Sequence, residues 1–154
     1  MGRKPTAAED ELARRCAEAM YAADRASQAL GITLDEVGAG RARGRMTVRA
    51  DMCNGHGLCH GGFVFSLADS AFAFACNGYN QATVAAGCDI VFVRPVAAGD
   101  VLMAEACERV RVGRNGVYDV TVRREDGEVV AEFRGRSRTV AGSVLGADSP
   151  PPSP

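Results

Sequence analysis

One segment limits the folds open to this chain more than any other. From Gly61 to Asn77 the residues are apolar on every face of a helix, with four of the chain's six phenylalanines and a single charge, Asp69. A helix that is apolar all round is normally buried on all sides. Its apolar core, Phe63–Cys76, is shorter than the roughly 20 residues needed to cross a bilayer, and it contains Asp69. The rest of the chain must therefore wrap this helix.

The remaining segments supply the wrapping. Residues Thr6 to about Ala29 predict a first helix, with Leu12, Cys16, Ala19, Met20 and Ala23 recurring at three- and four-residue spacings and Gly31 as its stop. From Ile32 to Ala50 the period changes to two, as a strand or hairpin requires. After the apolar helix come four strand-like segments. Val84–Val93 is closed by Pro95, and Val101–Val112 turns Leu102, Ala104, Ala106, Val110 and Val112 to one face. Gly116–Glu125 is followed by the hairpin signal Asp126-Gly127. Glu128–Val140 turns Val129, Ala131, Phe133 and Gly135 inward, with Glu132, Arg134, Arg136 and Arg138 outward. The expectation is one α+β domain over residues 1–141, an antiparallel sheet curled around a central helix at about 61–77. The Gly/Ser/Pro-rich tail 142–154 is expected to be disordered.

Composition excludes some functions. The chain has 154 residues, 18 basic and 19 acidic, with a net charge of −1, so it lacks the basic excess of a general nucleic-acid binder. The start, Met1-Gly2-Arg3-Lys4-Pro5, leads into charged residues and not into a secretory signal. The expected compartment is the cytoplasm, away from membranes, with the six cysteines as free thiols. Cys16, Cys76, Cys88 and Cys107 occur in apolar contexts and suit small core positions. Cys53, His56, Cys59 and His60 bring four soft ligands within eight residues. Adjacent Cys59 and His60 point apart in most backbones and no second ligand pair follows, so no metal site is expected.

Asp69 draws the chemical argument. An unpaired carboxylate in an apolar interior is costly, or its pKa rises until it is neutral. It is either a carboxylate satisfied within the core or a working group. Just upstream, Cys59-His60-Gly61-Gly62 falls where the apolar helix begins. Helix N-termini offer free N–H groups and a partial positive charge, and glycine lets a ligand approach the backbone closely. The Gly61 or Gly62 N–H could therefore stabilise an oxyanion, or the two glycines could make only a tight turn. Eight residues separate Gly61 from Asp69, about 12 Å along a helix axis. If both serve one reacting carbon they must come from two copies of the chain, paired antiparallel across a two-fold axis.

The stretch from Asn54 to Asn77, Asn-Gly-His-Gly-Leu-Cys-His-Gly-Gly-Phe-Val-Phe-Ser-Leu-Ala-Asp and onward, resembles the signature of hotdog-fold acyl-CoA thioesterases, especially the PaaI (phenylacetic acid degradation) type. Phe92-Val93-Arg94-Pro95, Gly99-Asp100 and Arg134-Gly135-Arg136-Ser137 extend the resemblance, which spans about residues 12–142. It implies hydrolysis of a CoA thioester to an acid and CoA, with no cofactor beyond the CoA of the substrate. It implies Asp69 as nucleophile or general base, and Gly61 as the N–H that polarises the carbonyl. Asn54 matches a loop amide near the reacting atoms, and His60 a histidine that braces the loop. Phenylacetyl and ring-modified phenylacetyl groups are the implied acyl class, and dimers of dimers the implied assembly. Some relatives have an asparagine late in the first helix where this chain has Ala23. CoA is polyanionic, so Gly62, Arg94, Arg134, Arg136 and Arg138 become candidates for holding it, although alternating arginines can simply solvate a strand face. The alternatives are a non-catalytic acyl-CoA-binding hotdog protein, a medium- or long-chain thioesterase, and a dehydratase. The last usually needs a histidine on the helix, and none lies between Phe63 and Asn77.

Overall fold

A computed structural model describes residues 3–146. The chain runs α1 (Ala7–Ala23), α2 (Arg25–Ala29), β1 (Thr33–Gly38), β2 (Arg41–Thr47), α3 (Gly61–Cys76), β3 (Thr83–Phe92), β4 (Val101–Val112), β5 (Asn115–Arg124) and β6 (Val129–Thr139). The six strands form one antiparallel sheet in the order β1-β2-β4-β5-β6-β3. Helix α3 follows β2 in sequence and crosses one face of this sheet, and the chain then places β3 at the far edge. This is the hotdog arrangement, and it matches the α+β expectation.

The first helix begins at a capping box, in which Thr6 accepts from the Glu9 N–H and Glu9 accepts from the Thr6 N–H. The single helix expected over 6–29 is broken at Asp24. Its carboxylate accepts from Ser27 N at 2.9 Å and Ser27 Oγ at 2.6 Å, capping a new helix and ending the old one. Helix α1 buries Ala13, Cys16 and Ala17, so its apolar stripe is rotated from the one expected and leaves Ala19 and Ala23 exposed. Asp10 docks it to the β1–β2 hairpin, accepting from Ala39 N and from Arg41, both at 2.9 Å.

The core lies between α3 and the sheet. Val64, Leu67, Ala68, Ala71, Phe72, Phe74, Ala75 and Cys76 are buried on the helix, facing Leu102, Ala104, Tyr118, Val120, Val122, Ala131 and Phe133 of the strands. Phe72 sits at the centre, with ring centroids 5.5 Å from Tyr118 and 5.8 Å from Phe133. The helix is not buried on all sides within the chain, however. Gly62, Ser66, Asp69, Ser70 and Ala73 form a stripe at helical spacing that stays exposed or half-buried. At its C-terminus Asn77 donates to Ala73 O and Thr83 O and accepts from Thr83 N, tying the helix end to the start of β3.

Of four register shifts in the sheet, two change which residues of β4 and β6 face the core. The register slips between Glu108 and Val110, so Val110 and Val112 turn outward and are 50% and 71% exposed. A second slip opposite Val122 and Arg123 inserts Val130, which is buried in place of Val129. Cys107 is exposed on the outer face of β4 and Cys88 only half-buried, so neither fills the core as expected. Of the tail, Gly142 O accepts from Ala82 N, and Leu145 N donates to Asn80 Oδ1. The expected disorder of 147–154 lies outside the described residues.

Glycine at 135 is forced by packing. A Cβ there would lie 2.7 Å from the Phe72 ring. Gly135→Ala is therefore expected to destabilise the fold by about 1–3 kcal/mol through overpacking, measured by urea denaturation. An unchanged midpoint would show that Phe72 moves freely.

Candidate active site

Helix α3 starts without a side-chain cap. His60 is the N-cap residue and makes no capping hydrogen bond. The Gly61 and Gly62 N–H groups have no intrahelical acceptor and point out of the helix end, where the dipole is positive. The incoming loop is held by backbone pairing, with His60 N on Met52 O at 2.9 Å and Cys59 N on Val96 O at 2.7 Å. The bracing expected of the His60 imidazole is supplied by its main chain, for the ring is exposed and makes no hydrogen bond among the described residues.

Asn54 closes the loop Asn54–Leu58. Its Oδ1 accepts from His56 N at 2.9 Å and Leu58 N at 3.2 Å. That orients the amide and leaves its Nδ2 donor without a partner among the described residues. Asn54, Leu58, Cys59, Gly61, Val64, Phe92, Arg94 and Val96 are among the residues lining a groove of about 280 Å³. Phe92 forms one wall and lies so close that a Cβ on Gly61 would meet its Cζ at 2.7 Å. Phe92 falls in Phe92-Val93-Arg94-Pro95, which extends the family resemblance, but that resemblance gives it no role in a groove, and by periodicity it reads only as the end of an apolar strand.

Asp69 lies elsewhere. It lines a second groove, of about 240 Å³, with Asp24, Ala26, Ser27, Leu30, Ser66, Ser70 and Ala73. The two grooves share no residue. The carboxylate is half-buried, with no hydrogen bond or ion pair among the described residues, and burial alone pushes its pKa above the usual aspartate value. Beside it Ser70 Oγ lies 3.1 Å from Ser27 Oγ, which donates to Asp24. Ala23, the residue read as standing where some relatives have an asparagine, is exposed and lines neither groove. The next residue, Asp24, does line the Asp69 groove.

The four arginines divide. Arg94 lines the Gly61 groove, donating to Val129 O at 2.7 Å and pairing with Glu128 at 2.9 Å. Arg134, Arg136 and Arg138 stand on the sheet face away from α3. Arg134 is bidentate on Asp119 at 2.7 and 2.9 Å and holds that carboxyl below the usual range. Arg136 pairs with Asp89 at 2.9 Å, and Arg138 meets Asn115 Oδ1 at 3.4 Å. Gly62 is exposed at the helix start. No group of three or more His, Cys, Asp or Glu side chains converges as a metal site among the described residues.

The raised pKa of Asp69 carries a stability consequence. The folded state disfavours the ionised form relative to the unfolded state, so the folded state pays for this charge above the raised pKa and not below the unfolded value. Asp69→Asn is therefore expected to raise the melting temperature at pH 7–8, with the gain vanishing toward pH 4 as the wild-type carboxyl protonates. Thermal melts across that range check it, and a lower melting temperature at pH 8 would contradict it.

Comparison with known proteins agrees with the fold. The thioesterase superfamily model matches residues 56–131. The chain is 47% identical over 130 residues to acyl-coenzyme A thioesterase PaaI of Escherichia coli, covering 84% of this chain and 93% of that protein. The solved structure of E. coli PaaI, from the phenylacetic acid degradation operon, superposes with a TM-score of 0.86 at 46% identity, covering 87% and 97% of the two chains. An asparagine-to-aspartate variant of the phenylacetic acid degradation protein PaaI from Thermus thermophilus matches with a TM-score of 0.73 at 38% identity, over 76% and 100%. With an uncapped helix start, a lone carboxylate eight residues on, and these relatives, the chain belongs to the thioesterase superfamily and, within it, to the PaaI acyl-CoA thioesterases.

Proposed function

We propose that the chain hydrolyses acyl-CoA thioesters to the free acid and CoA at a site shared between two copies, with phenylacetyl or ring-hydroxylated phenylacetyl as the acyl group. The observation that carries the shared site is the separation of Asp69 and Gly61 into two grooves with no residue in common. The edge strand supports the pairing. Val91, Phe92 and Val93, at the end of β3 and its exit, are 61%, 49% and 50% exposed on a sheet edge, an apolar patch that natural proteins seldom leave uncovered. The open stripe Gly62-Ser66-Ser70-Ala73 flanks Asp69 with small residues, so a second α3 can approach closely. A two-fold axis through these features sets Gly61 of one copy against Asp69 of the other. Pairing two such dimers keeps both shared sites intact.

In this site the thioester carbonyl oxygen accepts from the Gly61 N–H, assisted by the helix dipole and by the free amide donor of Asn54. Asp69 of the other copy either takes a proton from water as the water oxygen adds to the carbonyl carbon, or adds directly to give an anhydride that water then opens. The C–S bond breaks in both routes and the CoA thiolate takes up a proton. A thioester is electrophilic enough for one carboxylate and two donors to suffice. Arg94 lines the Gly61 groove and Gly62 is exposed next to Gly61 at the helix start, so they are the first contacts proposed for the CoA phosphates. Arg134, Arg136 and Arg138 reach a phosphate only by sharing their present partners. Relatives named for phenylacetic acid degradation support the aryl acyl group. No helix among the described residues is long and apolar enough to cross a membrane. Six free cysteines fit the cytoplasm.

The test is thiol release from a panel of aryl- and alkanoyl-CoA substrates. Asp69→Asn is expected to lower kcat by at least roughly 100-fold. Wild-type kcat should fall on the acid side as Asp69 protonates, with that limb above the ordinary aspartate range. A wild type that releases no CoA contradicts the enzyme reading, and a fully active Asp69→Asn contradicts the role of Asp69.

A further inference from the structure

We propose that Cys53 and Cys59 are a site of reversible oxidative modification, forming a disulfide across the base of the Asn54 loop. The two residues are partners in an isolated antiparallel bridge. The hydrogen bonds around it belong to their neighbours, His60 N to Met52 O at 2.9 Å and Asn54 N to Leu58 O at 2.8 Å. Cys53 and Cys59 are thus a non-hydrogen-bonded pair, the closer of the two antiparallel kinds, with Cα atoms about 4.5 Å apart and side chains on one face. A disulfide spans Cα separations of about 4.4–6.8 Å, so the bond forms without moving the backbone.

Both thiols are free, half-buried, and held only by weak sulfur donors, Cys53 Sγ to Arg49 O at 3.6 Å and Cys59 Sγ to His60 O at 3.4 Å. Burial and then the neighbouring Cys53 raise the Cys59 thiol above its ordinary value. Cys59 lines the open Gly61 groove, within reach of a small oxidant. The other four cysteines differ. Cys16 and Cys76 are buried, and Cys88 and Cys107 face Gly135 and Asp119 across the sheet.

A peroxide suffices as oxidant. One thiolate attacks a peroxide oxygen, the O–O bond breaks, and a sulfenic acid and one water form. The second thiolate attacks the sulfenic sulfur, the S–S bond forms, and a second water leaves. The pair loses two electrons and two protons, and a dithiol reverses the step. The bridge flanks Asn54 on one side and His60-Gly61 on the other, and it draws the Cys59 sulfur off His60 O. Small displacements of such groups are costly, so oxidation is expected to lower thioester turnover by roughly tenfold.

The experiment treats the full chain with hydrogen peroxide near stoichiometry, then alkylates and digests it for mass spectrometry. The expected result is a peptide linked between Cys53 and Cys59, two hydrogens lighter, lost on dithiothreitol treatment and absent from Cys53→Ser. Oxidation that leaves the two unlinked, or links other cysteines, overturns the proposal. The turnover arm rests on the thioesterase reading. Wild type is expected to lose activity reversibly while Cys53→Ser keeps it under the same treatment. A bridge that forms with turnover unchanged overturns the control of activity. A chain inactive before oxidation overturns the thioesterase reading, while the mass measurement still decides the disulfide.

Discussion

Eight residues of helix hold the Gly61 N–H and the Asp69 carboxylate about 12 Å apart, and a rigid α3 cannot shorten that distance. The helix is fixed at both ends. His60 and Cys59 pair with Met52 and Val96 at its start, and Asn77 clasps Thr83 at its finish. Phe72 and its neighbours press it onto the sheet between. Each chain therefore holds the Gly61 N–H and the Asp69 carboxylate, the two halves of the proposed site, in separate grooves. The proposed two-fold pairing is the arrangement that brings unlike halves together.

The edge strand β3 packs beside α3. On the face of β3 turned toward α3, Cys88, Ile90 and Phe92 follow one another. Burial first and then Asp69 raise the thiol of the half-buried Cys88, and Phe92 lies against Gly61. The row of alternate residues spans about the same length as the Gly61–Asp69 step, since four strand residues cover about 13 Å. The same strand lines the Gly61 groove through Phe92 and also offers the uncovered edge. Folding the sheet and building the proposed site thus both draw on Phe92.

Much of this was legible in the sequence, for identifiable reasons. The bounds of α3 and of the four later strands follow from periodicity, and Asp69 stood out as the only charge in an apolar helix. Asn54 and Gly61 came through the resemblance and the helix start, and they do share a groove. The bulges at Glu108–Val110 and opposite Val122 were hidden, because an inserted residue changes faces without changing residue types. Asp24 carried a usable signal, an aspartate three residues before Ser27, but the unbroken alanine-rich run masked it. Phe92 and the open stripe of α3 depend on contacts between distant segments, and no local pattern encodes them. The arginines of β6 were placed correctly on the outer face, which is why Arg134 and Arg136 meet Asp119 and Asp89 instead of a groove.

The shared site is tested most directly by mixing two disabled chains. Asp69→Asn keeps the donor half, and Asn54→Ala keeps the carboxylate half. Unfolding the two together in equal amounts and refolding makes mixed dimers, each with one site built from two intact halves. About a quarter of wild-type activity should return, since half of the dimers are mixed and each of those has one working site of two. Activity no greater than the sum of the two parent variants, with mixed dimers shown to be present, would contradict the shared site.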